Sequence, residues 1–242
     1  MWYLTGFHAI EEQIKSGKAV GSLLVAKAGP RAREIIALAM EHKIRIDRVG
    51  THELDHLAPD HRGIVLPVED PGSPEDITLE GFLAGLGDRT DVLVAVLDEI
   101  TDPHNYGAIL RSCDQFGVDL VLTRNRRIAK HAEVIAHTSA GAVSWVSVAE
   151  TANLIRAVGD LKAAGFWIYG ADMAGEPVYT QDLRGRAALI LGGEGTGISR
   201  LLRESCDVLV AIPSQGRVDS LNVSVAAGIL FYEITRQRSQ RS

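Results

Sequence analysis

Three stretches of the chain set amide, carboxylate, hydroxyl or guanidinium side chains beside glycine where an apolar run ends. In "VLVAVLDEITDPHNYGAILRSCDQFGVDLVL", Val92 to Leu122, the apolar run gives way to Asp-Pro-His-Asn, with Asn105, Gly107 and Arg111 following. In "LILGGEGTGIS", Gly192, Gly193, Gly195 and Gly197 surround a single Glu194. In "VLVAIPSQGRVDSLNVSVAAGILFYEI", Ser220 and Asn222 precede a helical pattern. An amide and a guanidinium at the carboxyl edge of a sheet can orient and neutralise an oxyanion, since ligands bind at that edge in open α/β sheets. Glycines at this density let backbone groups approach a ligand closely. Each stretch also has a plain structural reading: Asn105 caps a helix and Arg111 is solvated, the glycines make a bend, and Ser220 or Asn222 is an N-cap.

The elements that must position these side chains follow from periodicity. Apolar runs at Val92–Leu97, Val118–Leu122, Val143–Val148, Phe166–Tyr169, Ala187–Leu191 and Val208–Ile212 alternate with helical patterns, which predicts an α/β fold with a mostly parallel sheet covered on both faces. Ile109, Cys113 and Phe116 form one helical stripe, and Val223, Ala226, Ala227, Leu230 and Ile234 another. Gly107 would leave space for a ligand one turn before Arg111. Upstream, "HAIEEQIKSG", "SLLVAK", "AREIIALAMEHK", "IRIDRVG" and "GIVLPVE" suggest a separate small α/β unit, and "EDPGSPED" is the linker candidate. The organisation expected is a domain over residues 1–70, a linker over 71–77 and a second domain over 78–242. The basic tail "RQRSQRS" is expected to fray.

Composition narrows the classes. With 46% hydrophobic and 23% charged residues over 242 positions, the chain reads as soluble, without a membrane span, and its first residues lack a secretory pattern, so a cytoplasmic address is expected. Cys113 and Cys206 are far apart and support neither a disulfide framework nor a cysteine zinc site. "HELDH", His52 to His56, matches the H-E-x-x-H zinc pattern. Pro59 cuts its helix short and no third ligand follows in a compatible helix, so a zinc hydrolase is a third reading only. A net charge of −6 argues against broad wrapping of nucleic acid, so an RNA surface must be local. "TRNRRIAKH" is the strongest internal basic cluster, with Arg124, Arg126, Arg127 and Lys130 as candidate phosphate contacts. Aromatic residues at 5% are too few for base-stacking platforms, so a splayed nucleotide read by shape fits better.

"DPHNYGAILRSCDQFG", "LGGEGTGIS" and "IPSQGRVDSLNVSVAAGI", in this order, resemble the three motifs of the SpoU/TrmH branch of the SPOUT RNA methyltransferases. "LTGFHAIEEQI" and "HRGIVLPV" are similar to the ends of the ribosomal-protein-like RNA-binding domain of the RlmB-type rRNA 2′-O-methyltransferases. Arg62 departs from the glutamine of a His-Gln-Gly motif, which bears on RNA choice. The resemblance implies a SPOUT domain with a carboxyl-terminal trefoil knot, S-adenosyl-L-methionine as methyl donor and a homodimer that completes the site. Transfer would be to a ribose 2′-hydroxyl of RNA, a guanosine in bacterial 23S rRNA first and tRNA second, without a metal. Leu191, Gly192, Gly193, Ile212 and Leu221 would hold the donor, and Asn105, Arg111, Glu194, Ser220 and Asn222 would form the catalytic set. A guanidinium stays protonated at neutral pH, so Arg111 is read as binding phosphate and stabilising alkoxide charge rather than as a base. Asn105 would orient the ribose or Arg111, Glu194 would fix Arg111 or its loop, and Ser220 and Asn222 would align substrate and the third loop. The competing reading is a non-catalytic RNA-binding or ribosome-assembly protein of the same fold.

Overall fold

The structure, a computed structural model, describes residues 2–15, 17, 21–58, 61–68, 77–124, 132–216 and 220–240. The chain divides into two compact units, residues 1–75 and 76–242. The first contains β1 (Trp2–Leu4), α1 (Phe7–Lys15), β2 (Leu23–Val25), α2 (Pro30–Glu41), β3 (Ile46–Arg48), α3 (Thr51–Leu57) and β4 (Ile64–Val68). Its sheet runs β1-β4-β2-β3, with β4 antiparallel to both neighbours and β2 parallel to β3. Ile10, Ile14, Ile35, Leu23, Ile64 and Leu66 form the core between α1, α2 and the sheet. Register brings the end of β2, the end of β3 and the start of β4 to one edge: Val25 pairs with both Arg48 and Ile64. At that edge Arg62 and Gly63 are left-handed (φ 47° and 93°), and a side chain at Gly63 would come within 2.5 Å of the Lys27 carbonyl oxygen. Glycine is therefore required there.

The second unit contains α4 (Leu79–Ala84), β5 (Val92–Asp98), α5 (Pro103–Gln115), β6 (Leu120–Thr123), α6 (Ala132–Thr138), β7 (Val148–Glu150), α7 (Leu154–Ala163), β8 (Trp167–Pro177), β9 (Arg186–Gly192), α8 (Arg200–Glu204), β10 (Val208–Ala211) and α9 (Val223–Ser239). The six strands are ordered β10-β8-β9-β5-β6-β7 and every pairing is parallel. β5 is buried along its whole length because both faces are covered. Leu93, Ala95 and Leu97 pack on one side with α5 and α9, while Val92, Val94 and Val96 pack on the other with α7. Among the described residues no helix is long and apolar enough to cross a membrane.

Three expectations are corrected. Most of Val143–Val148 is not a strand, β7 starting only at Val148: Ala140 and Gly141 take left-handed φ, and the chain closes a tight turn in which Trp145 and Val146 N–H both donate to the Ala142 carbonyl. Its apolar residues Ala142 and Val146 fill the core from a turn, which a hydrophobic run alone cannot distinguish from a strand. The run at Phe166–Tyr169 opens a much longer strand with an interruption, since Leu209 pairs with Gly170 but Val210 pairs with Glu176, leaving 171–175 as a bulge.

Arg236 to Ser239 of the tail do not fray as expected, because α9 continues to Ser239, while Arg241 and Ser242 lie outside the described residues. Arg238 Nη2 donates to the carbonyls of Val92 and Gly185, at 3.0 and 2.8 Å, at the amino ends of the β5–β9 pair. Arg236 pairs with Glu233 at 2.7 Å on the helix itself. Charge-assisted bonds to carbonyls that water cannot fully serve predict that Arg238→Ala destabilises the second unit by about 2 kcal/mol in urea unfolding. Arg236→Ala, which removes a partly exposed pair and leaves Glu233 its bond from Gln237, should stay below about 1 kcal/mol.

Candidate functional site

The site grows from three chain reversals at the carboxyl edge of the large sheet. After β5, Asp102 is the N-cap of α5, its carboxylate accepting from the N–H groups of His104 and Asn105 at 3.2 and 3.3 Å, and Pro103 follows in the first turn. Asn105 is therefore not the cap, contrary to the structural reading of the sequence, and its side chain, 8% exposed, turns to other partners. After β9 the glycine loop folds on itself, with Gly197 N–H donating to the Gly193 carbonyl at 2.9 Å. A β-carbon on Gly192 would sit 2.1 Å from the Gly197 carbonyl carbon, and one on Gly193 would sit 2.8 Å from the Glu99 carbonyl oxygen. After β10, Asn222 caps α9, its Oδ1 accepting from Ser224 N–H at 2.9 Å and Ser224 Oγ at 2.6 Å.

These reversals meet in a closed set of amide and carboxylate contacts. Asn105 Nδ2 donates to Glu194 Oε1 at 3.0 Å, and Asn222 Nδ2 lies 2.6 Å from that oxygen and 2.9 Å from Asn105 Oδ1. One carboxylate oxygen thus gathers two amides from segments far apart in sequence, and charge-assisted acceptance makes such bonds stronger than neutral ones. Within the chain Glu194 bonds Asn105 and Asn222 and makes no bond to Arg111 among the described residues.

Beside this triangle lies a cleft of about 990 Å³. Leu191, Ile212, Leu221, Ala226 and Leu230 supply apolar wall, Gly192 and Gly193 supply bare backbone, and Ser220, Asn222 and Glu194 line it as well. The size, the apolar wall and the few convergent polar groups suit a nucleoside-sized ligand. The sequence reading missed the β8 bulge, which adds Asp172, Met173 and Gly175. Asp172 accepts from Arg203 Nε at 2.8 Å, and this bond holds its carboxyl below the usual carboxylate range. "GADMAG" gives no signal of this, because a bulge is set by the pairing partner.

Other sequence-predicted residues lie apart. Arg111 is exposed on α5, does not line the cleft and makes no hydrogen bond or ion pair among the described residues. Gly107 leaves no ligand space: a β-carbon there would fall 2.0 Å from Thr138 Oγ1, so the glycine lets α6 pack on α5. Arg124 lies beside the end of β5, 4.0 Å from Asp98 Oδ1, while Arg126, Arg127 and Lys130 lie outside the described residues. His52 and His56 are exposed neighbours on the seven-residue α3, and no group of three potential ligands is arranged for a metal among the described residues.

Two family descriptions match the chain: SpoU rRNA Methylase family over residues 92–232, and RNA 2′-O ribose methyltransferase substrate binding over residues 3–73. An uncharacterized tRNA/rRNA methyltransferase of Borreliella burgdorferi is 39% identical over 223 residues, covering 89% of this chain and 98% of its own. The 23S rRNA (guanosine-2′-O-)-methyltransferase RlmB of Pseudomonas putida is 36% identical over 240 residues, covering 96% and 95%. The crystal structure of the SpoU methyltransferase AviRb from Streptomyces viridochromogenes in complex with AdoMet superposes with a TM-score of 0.73 at 25% identity, covering 98% of this chain and 90% of that one.

The turn that supports the glycine loop contains Glu99 at φ 57°, where a side chain crowds the backbone. Glu99→Gly should raise stability by up to about 1 kcal/mol in urea unfolding, the released strain being partly offset by a freer unfolded chain. A clear loss would show that the Glu99 side chain contributes more than its backbone costs.

Proposed function

Because the chain belongs to the SpoU rRNA methylase family, we propose that it transfers a methyl group from S-adenosyl-L-methionine to a ribose 2′-hydroxyl of RNA, preferentially a guanosine of bacterial 23S rRNA. The observation that carries this reading is the Asn105–Glu194–Asn222 triangle on the rim of a cleft walled by apolar side chains and bare glycine backbone. The cleft fits the donor, since Leu191, Ile212 and Leu221 offer apolar contact and Gly192 and Gly193 offer main-chain groups unscreened by side chains. The bound donor supplies a methyl group carried on a positively charged sulfur.

The protein's share of the reaction is positioning and charge stabilisation. Asn105, held at both ends of its amide, orients the ribose; Ser220 and Asn222 align the substrate with the loop before α9. Arg111 binds the RNA phosphate beside the target and stabilises charge growing on the ribose oxygen, with a phosphate oxygen or water taking the proton.

Since Arg111 does not line the cleft of its own chain, it acts on the cleft of a partner subunit in a homodimer. Val225, Ile229 and Tyr232, exposed at successive turns of α9, suit the face that a second copy would cover. The return of α9 against α5, with its cap bonded to the first turn of α5 and to the loop after β9, suits the trefoil knot. Residues 1–70 act as the RNA substrate-binding domain and 78–242 as the methyltransferase domain, working in the cytoplasm. Lys27, Arg48 and Arg62, at one edge of the first unit's sheet and without an ion pair among the described residues, would meet RNA phosphate.

The deciding measurement is transfer of labelled methyl to rRNA and tRNA from cells lacking the protein. Label on an rRNA ribose, reduced at least about 100-fold by Arg111→Ala, is expected; label on tRNA alone would move the target, and none on either would favour an RNA-binding protein without turnover. Gly192→Ala should weaken donor binding at least about tenfold in calorimetry, because the new methyl group displaces the loop backbone. Co-expressing Arg111→Ala with Glu194→Ala should restore about a quarter of wild-type activity if each site draws on both subunits, since half the dimers would then carry one intact site. No restoration would overturn sharing across the dimer.

A further inference from the structure

Asp98, the last residue of β5, is fully buried. Its Oδ2 accepts from Ser199 N–H at 2.8 Å, while its Oδ1, shut off from solvent, has no hydrogen-bond partner among the described residues. A buried carboxylate oxygen left unserved is costly, and neither RNA nor methyl donor can reach an atom that solvent does not touch. Arg124, immediately after β6, has Nη2 4.0 Å from that oxygen while its side chain remains 47% exposed. A charged N–H to oxygen bond closes at about 2.8 Å, so a small rotation of this side chain completes the pair. A guanidinium presents five N–H donors in a planar fork, and one edge bound to Asp98 leaves another facing solvent.

Resting on the methyltransferase reading above, we propose that Asp98 is a positioning residue for the reaction. Its Oδ2 pins the far end of the loop that carries Glu194, and its Oδ1 holds Arg124 so that the free edge of the guanidinium engages an RNA phosphate. The carboxylate thus ties the loop beside the donor cleft to a cation that meets RNA. Arg124 reads no base in this arrangement; it fixes the register of the RNA backbone relative to the triangle.

Asp98→Asn keeps an oxygen for Ser199 and turns the other position into a neutral donor facing Arg124. In the full chain, filter binding of an rRNA fragment should weaken about tenfold, with KM for RNA rising alike and donor affinity by calorimetry within about twofold of wild type. Arg124→Gln should weaken RNA binding similarly and lower the slope of log affinity against log salt by about one, the signature of one lost phosphate contact. The double variant should bind no worse than Arg124→Gln alone, because Asp98 acts through Arg124.

Multiplying losses in the double variant, or unchanged RNA affinity in Asp98→Asn, would overturn the proposal. So would a loss shared equally by donor and RNA with a lowered melting temperature, the mark of a merely structural carboxylate. Should Asp98→Asn fail to fold, Arg124→Gln decides alone: its side chain is half-exposed, and an unchanged salt slope would refute the phosphate contact. Wild-type label transfer tests the methyltransferase reading separately, so failure of one is not failure of the other.

Discussion

The candidate site depends on one carboxylate oxygen, Glu194 Oε1, shared by the amides of Asn105 and Asn222. Each amide could bond water equally well if its chain segment were free, so the stability of the triangle rests on how well the sheet delivers the three segments already aligned. β5 and β9 are paired over seven positions, which sets Asp98 against Gly192 and brings both following loops to one place. α9 is held along its length by Val223, Ala227, Leu230, Phe231 and Ile234 in the core, which sets Asn222. The polar contacts choose one arrangement among those the apolar packing permits.

Side chains in this site have divided duties, and the division explains the glycines. Asn222 caps α9 through its oxygen and reaches Asn105 and Glu194 through its nitrogen, so a helix cap is also a rim of the cleft. Capping and site-building are not competing explanations for that residue. The glycines divide too: Gly192 and Gly193 are fixed by close backbone neighbours, while Gly195 and Gly197 supply left-handed turns with nothing near their missing side chains. A glycine-rich stretch is thus two requirements, close approach and turn geometry, printed in one residue type.

Much of this was legible in the sequence, for identifiable reasons. The parallel sheet was readable because long buried strands such as β5 and β9 leave unbroken apolar runs. Asn105, Glu194, Asn222 and the cleft residues Leu191, Gly192, Gly193, Ile212 and Leu221 are brought to one region. What failed were features decided by a distant partner. Gly107 is small because Thr138 lies against it, Ala171–Gly175 bulge because Leu209 and Val210 skip along β8, and α9 runs on to Ser239 because Arg238 finds two carbonyls far upstream. Val143–Val148 failed for the opposite reason, a local left-handed step that an apolar run conceals.

The clasp of Arg238 on Val92 and Gly185 joins residues 146 and 53 positions apart, and the triangle at the other edge of the sheet also needs α9. Both ends of the sheet therefore wait for the same late helix. During synthesis, β5 through β9 can collapse on their own apolar faces, but the cleft has no third wall until α9 has left the ribosome and docked. Until α9 docks, the apolar face it shares with α5 is only partly covered, and assembly of the site coincides with the completion of that cover.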